Sequence, residues 1–213
     1  IANTPVNFRS GSNNKAIANV LVNAPKGGAG GEDGIRLAST DSIARDNYIE
    51  GSGYRGIGVF ADNCKVISND IYGVVDWAIW VEKNVAKCKI VKNYINGNYK
   101  SNQESGGGIG ARSPTDLVIE KNTVENCYYD GILVGEHAAS GETVEVVRIV
   151  NNTVRNNNQA GAGRAGIKLY APSGVTVKNV IIALNQAFDD QDTPTQKYGI
   201  QTTGPNISAA ENI

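Results

Sequence analysis

The chain has 213 residues and a formal net charge of −1, with 40% apolar and 19% charged residues, the composition of a folded soluble protein. It has no basic stripe or polybasic tail, which argues against nucleic acid and anionic membranes as partners. No apolar run approaches the roughly 20 residues needed to cross a bilayer. Glycine is frequent at 25 residues, asparagine is often doubled and methionine is absent. Glycine and asparagine tolerate left-handed backbone, so the chain must turn often.

From the N-terminus, KAIANVLVNA over 15–24 shares the pattern of DSIARDNYIE over 41–50. A first signature then recurs: Gly-Ile, or a close variant, followed by alternating apolar residues. Its Ile falls at Ile35, Ile57, Ile79, Ile109, Ile132, Ile167 and Ile200. A second signature, Asn-x-Ile/Val, runs from Asn47–Ile49 through Asn69–Ile71, Asn93–Ile95 and Asn122–Val124 to Asn152–Val154, with Asn185–Ala187 as a weaker copy. The two alternate strictly. The Ile spacing is 22 residues twice, then 30, 23, 35 and 33. The surplus sits in loop-forming insertions: NGNYKSNQESGG, VGEHAASGET, RNNNQAGAGRA and FDDQDTPTQKY.

Within each copy the apolar residues alternate, as in GIGVFAD and CKVISNDI, and period two means short strands. Three such strands with their turns fill about 22 residues, and coils stack at about 4.8 Å. The expected fold is therefore all-β: a right-handed parallel β-helix of about seven to eight coils, three strands per coil. Residues 1–213 form one segment of it. The tail PNISAAENI repeats the pattern of TDLVIEKNTV and stops at its Ile, and neither end offers the polar cap a solenoid needs. The expectation is a part of a longer protein, with ends continued or capped elsewhere. The recurring Asn is assigned two structural roles: taking positive φ at a tight bend, and bonding to its copies above and below. Cys64 and Cys88 precede matching segments and are read as a small interior residue repeated in adjacent coils; with Cys127 they make three widely spaced cysteines, neither a disulfide framework nor a zinc site.

RGIGVFADNCKVISNDI and DGILV resemble the pectate-lyase-like right-handed β-helix superfamily, over about residues 15–213. Its members include pectate and alginate lyases, polygalacturonases, mannuronan epimerases and bacteriophage tailspikes. The resemblance implies binding or cleavage of long, often acidic polysaccharides along the outside of the helix, and an extracellular or virion-surface setting. Of the polygalacturonase motifs only Asp189-Asp190 is echoed; His137 lies in GEHAAS rather than Gly-His-Gly, and the epimerase Asp-Pro-His-Glu is missing. A tailspike shaft needs no fixed motif, and a homotrimer is the expected state if the chain is of that kind.

If each Gly-Ile strand points its Ile inward, residues one and three places later point out. One outward column is Arg36, Gly58, Trp80, Gly110, Leu133, Lys168 and Gln201. The other is Ala38, Phe60, Glu82, Arg112, Gly135, Tyr170 and Thr203. Arg36, Phe60 and Trp80 are candidate carbohydrate contacts if these aromatics are exposed; the alternative is that Trp80 and Tyr170 pack under the inserted loops and that Glu82 and Arg112 form an ordinary exposed ion pair. A lyase acting on a uronate needs a base at the sugar C5 and a cation on the carboxylate; Tyr170, Lys168 or His137 suits the first role and Arg112 the second. A glycosidase needs two carboxylates about 5–10 Å apart, for which Glu82 with Glu136 is the available pair. Asp189, Asp190 and Asp192 offer the oxygens that a Ca2+ ion takes; no other cofactor is indicated. Three functions remain open: a glycan-binding shaft of tailspike or depolymerase type, a secreted lyase or C5-epimerase of acidic polysaccharide, and a purely structural or adhesive β-helix.

Overall fold

A computed structural model describes residues 6–23, 33–97, 106–161 and 163–204. Every named element is a strand, and the strands form three parallel sheets of eight, seven and seven members. Consecutive strands belong to different sheets, and each pairs with the strand three elements further on, the wiring of a parallel β-helix. The first sheet runs from Val6–Phe8 through Ile35–Leu37 to Tyr198–Thr203. The second runs from Lys15–Ile17 to Thr176–Ala183, and the third from Val20–Val22 to Gln186–Phe188.

The Gly-Ile copies set the register of the first sheet. Ile35 faces Ile57, Ile57 faces Ile79, and the series continues unbroken through Ile109, Ile132 and Ile167 to Ile200. The N-terminal copy is shifted by two residues from the match of 15–24 to 41–50: Lys15 lies opposite Ile43 and Val20 opposite Tyr48, which stacks Asn19 on Asn47 and leaves Ile17 opposite Arg45 and exposed. The inward isoleucines from Ile35 to Ile167 are fully buried, together with Ile49, Ile71 and Ile95 of the third sheet. Cys64, Cys88 and Cys127 are buried and unbridged, and the Cys64 N–H donates to Cys88 Sγ in the next coil at 3.3 Å.

The asparagine ladder has one expected role and lacks the other. Each Nδ2 donates to the Oδ1 one coil on: Asn19 to Asn47 and Asn47 to Asn69 at 2.8 Å, then Asn69 to Asn93 and Asn93 to Asn122 at 2.9 Å. Asn122 to Asn152 and Asn152 to Asn185 continue it at 3.0 and 2.9 Å. None of these asparagines takes positive φ. The residue before each does: Ala18, Asp46, Ser68, Lys92, Lys121, Asn151 and Leu184 lie at φ 52 to 59°. The backbone turns one residue early, which swings the amide into the coil. The N–H of the left-handed residue meanwhile donates to the next coil, as Ser68 does to the Val91 carbonyl at 3.0 Å. The left-handed role falls to asparagine or glycine at the end of the third-sheet strands, at Asn23, Gly51, Gly73, Gly97, Asn126 and Asn156.

Candidate functional site on the outer face of the first sheet

The outward columns lie side by side as expected, but their aromatics are not free. Trp80 is only 3% exposed and packs with Trp77, Leu133 and Tyr170 in a second apolar cluster outside the coil. Glycine makes this possible. A Cβ on Gly110 would fall 2.6 Å from the Trp80 ring, so the missing side chain lets the indole lie down on the sheet. Trp77 stands 5.7 Å from Trp80 and His137 6.1 Å, centroid to centroid. Of the two expectations for Trp80, exposure is thereby corrected and packing under neighbouring segments is what is found, because insertion and turn residues fold over it.

Toward the N-terminal end the face is a run of cation–π contacts. The Arg36 guanidinium sits 3.5 Å from the Phe60 centroid and pairs with Asp33 at 3.2 Å. Arg55 lies 5.7 Å from Phe60 and 5.2 Å from Trp80, and pairs with Asp76 at 3.4 Å. In mid-face, Trp80 Nε1 donates to Glu82 at 3.4 Å. Arg112 reaches Glu82 only at 3.9 Å. Its main partner is Glu142, which accepts from Nη2 at 3.1 Å and Nε at 3.3 Å. The cation chosen to neutralise a uronate is thus already forked onto a carboxylate of the 135–142 insertion.

The open chemistry lies beyond this, where a cleft of about 390 Å³ is lined by Leu133, Glu136, Gly163, Arg164, Lys168, Tyr170 and Gln201. Lys168 and Tyr170 come from the two outward columns of Ala165–Tyr170, with Lys168 Nζ 5.3 Å from the ring centroid. Gly135 and Glu136 follow Ile132–Val134 on the neighbouring coil. Gly135 has φ +96°, and a Cβ there would collide with the Tyr170 carbonyl oxygen, so the insertion leaves the sheet where only glycine fits. Arg164 ties the cleft together. Its Nη1 lies 3.0 Å from Asp130, which is fully buried, and 3.8 Å from Glu136. Asp130 also accepts from the Ala165 N–H at 2.8 Å, so it anchors the arginine. Burial pushes the Glu136 carboxyl above its usual range, while His137 and Arg164 pull it back. The cleft can offer an aromatic edge, an ammonium, a guanidinium and a carboxyl that holds its proton more tightly than usual.

The structure therefore brings Lys168 and Tyr170 together with Glu136, and places His137 against Trp80. Glu82 and Arg112 form a separate ion-paired group, and Arg36 and Phe60 lie further along the rod. The three aspartates do not converge. Asp189 Oδ2 accepts from the Thr195 N–H at 2.8 Å and the Gln196 N–H at 2.7 Å, and Asp190 faces Arg155 at 3.8 Å. Among the described residues no group of three or more His, Cys, Asp or Glu is placed to hold a metal ion. The oxygens of Asp189 are spent on shaping their own loop.

Sequence reasoning missed Arg55, Trp77, Asp130, Glu142 and Arg164. Arg55, Trp77 and Asp130 share a position, two residues before the Gly-Ile isoleucine or its equivalent, as does Asp33. Period two assigns that position inward, but it belongs to the preceding turn and opens onto the outer face. A column of charged and aromatic residues where burial was expected was the available signal.

The match to known families decides the broader assignment: the family model described as "right handed beta helix region" covers residues 33–212. The chain belongs to this right-handed β-helix family. No curated protein and no solved structure matches it significantly. Membership accounts for the coil, the ladder and the core, and leaves the chemistry to the residues outside the repeat.

Proposed function

We propose that this right-handed β-helix recognises polysaccharide on the outer face of its first sheet, most like the shaft of a bacteriophage tailspike or depolymerase that binds bacterial surface glycan. The observation that carries the reading is the cleft beside Tyr170. It combines an aromatic side chain with Lys168, Arg164 and Glu136, the mixture that fits hydroxyl and carboxylate groups on a sugar ring. The cationic groups favour an acidic sugar. An extracellular or virion-surface location and a trimeric assembly accompany this reading.

A second reading is a lyase or epimerase of uronate polysaccharide, and the raised Glu136 carboxyl favours it. In the lyase reaction Tyr170 or Lys168 takes the C5 proton, the C4=C5 double bond forms as the C4–O bond breaks, and Glu136 protonates the departing oxygen. The panel that separates these readings contains capsular and uronate polysaccharides incubated with the protein. Binding without cleavage supports the shaft. New ultraviolet absorbance from unsaturated uronate supports the lyase, and shortened glycan without it supports a hydrolase. Failure to retain any glycan contradicts both and leaves a structural or adhesive β-helix.

A further inference from the structure

The third sheet carries a different surface. Its outward positions form two columns, and three tyrosines zigzag between them on successive coils: Tyr48 and Tyr94 in one, Tyr72 in the other. Their ring centroids lie 5.3 Å apart for Tyr48 and Tyr72, and 5.7 Å for Tyr72 and Tyr94, with the rings tilted by 36° and 58°. All three are half-buried. Polar partners hold the two outer rings. Tyr48 Oη donates to Glu50 at 2.8 Å, Tyr94 Oη donates to Glu125, and Asn96 Nδ2 donates to Tyr94 Oη at 2.8 Å. Glu125 is itself buried and clamped by Arg155 at 2.6 Å. Asp70 stands in the same column as Tyr48 and Tyr94.

From this arrangement we infer that the third sheet is a second carbohydrate-binding face, with an uncharged polysaccharide lying along the tyrosine stack. The aromatic edges are fixed in advance, so little conformational freedom is lost on binding. A row of rings with carboxylates and an amide beside it presents apolar faces next to hydrogen-bond acceptors. That is the chemistry of a polyhydroxylated ring, which has apolar C–H faces and equatorial hydroxyl donors. Charge selects among glycans. Glu50, Asp70 and Glu125 outnumber the cation Arg155, so a polyuronate or sulfated chain is repelled. The cleft on the first sheet, with Lys168 and Arg164, has the opposite preference. The phenols stay protonated, and the single O–H of Tyr48 and of Tyr94 is already donated to Glu50 and Glu125, which holds those rings in place. The hydrogen bond to Glu50 raises Tyr48, burial raises Tyr72, and burial with the Glu125 bond raises Tyr94. The stack advances one coil per ring, about 4.8 Å along the rod, so a glycan running parallel to the axis meets a new ring at each step.

Affinity electrophoresis through gels containing dextran, amylose or xylan tests this, with alginate as the polyanion. At least one neutral polysaccharide is expected to retard the protein, with little response to added salt. Tyr72→Ala is expected to weaken that retardation at least tenfold, Tyr72→Phe to keep it, and Tyr170→Ala, in the cleft, to leave it unchanged. Tyr48→Ala, at the end of the stack, is measured beside Tyr72→Ala so that the result does not hang on one variant. Failure of all three neutral gels to retard the protein overturns the inference. So does wild-type retardation of either alanine variant. Loss of alginate binding alone bears on the cleft and leaves the tyrosine face standing.

Discussion

The asparagine ladder and the cleft beside Tyr170 sit on the same coils and obey different rules. In the ladder every member between the two ends has the same partner chemistry: an amide above, an amide below and a backbone carbonyl to the side, as for Asn93 with Asn69, Asn122 and Val66. In the cleft no two residues share a role, and three of them, Glu136, Gly163 and Arg164, come from insertions rather than from strands. The repeat dictates everything that must match from coil to coil. Individual chemistry is confined to positions where one coil is free to differ from the next. Stability and function should therefore be separable by mutation.

The largest expected effects lie where the two regions depend on one backbone. Gly135→Ala forces a side chain into the Tyr170 carbonyl at a left-handed position, and is expected to cost more than about 3 kcal/mol or to move the 135–142 insertion. Chemical denaturation with near-ultraviolet circular dichroism of the Trp80 cluster checks this; an unchanged midpoint and spectrum would mean that the insertion leaves the sheet elsewhere. Asn93→Ala removes a buried acceptor from both the N–H and the Nδ2 of Asn69, and is expected to cost about 3 kcal/mol. Urea unfolding measures it, and a loss below about 0.5 kcal/mol would show that the ladder is ornamental.

Smaller effects sharpen the same division. Val146 is a β-branched residue at φ +52°, in a bulge column with Asp116 and Asn179, which also have positive φ. Val146→Asn keeps the turn and relieves the side chain, so a gain of about 1 kcal/mol is expected in thermal unfolding. The smallest effect belongs to Glu136. Burial raises its carboxyl pKa in the folded state, so the stability it contributes is present below the ordinary carboxylate pKa. That contribution fades as pH rises through the raised folded value. Glu136→Gln is therefore expected to gain on the wild type by under about 1 kcal/mol at neutral pH, with the gain shrinking in acid. Melting curves across that range check the sign; a variant that loses ground as pH rises would mean that the Arg164 contact outweighs burial.

The fold was legible because its residues repeat. The seven aligned isoleucines, the stacked amides and the buried Cys64 and Cys88 all follow from matching copies, and each lies where the copies put it. The left-handed residue escaped because Ala18, Ser68, Lys92 and Leu184 share no side-chain preference; the stacking hydrogen bonds impose the conformation on whatever stands there. Lys168 and Tyr170 were legible as outward strand positions. Arg164 and Glu142 were not, since nothing periodic records the path of an insertion, and Asp130 was passed over because period two assigns its recurring position inward. That Trp80 packs under an insertion was one of the readings the sequence allowed; which residues cover it was not legible, the cover being Trp77 from a turn and His137 from a loop.

We propose that recognition belongs to the cleft and stability to the repeat. The most direct test is the affinity of Tyr170→Ala, read with its unfolding midpoint, for whichever acidic polysaccharide the wild type retains. At least tenfold weaker binding is expected, with a midpoint within error of the wild type. Wild-type affinity in a variant that folds normally would contradict it and move the glycan off this face of the first sheet.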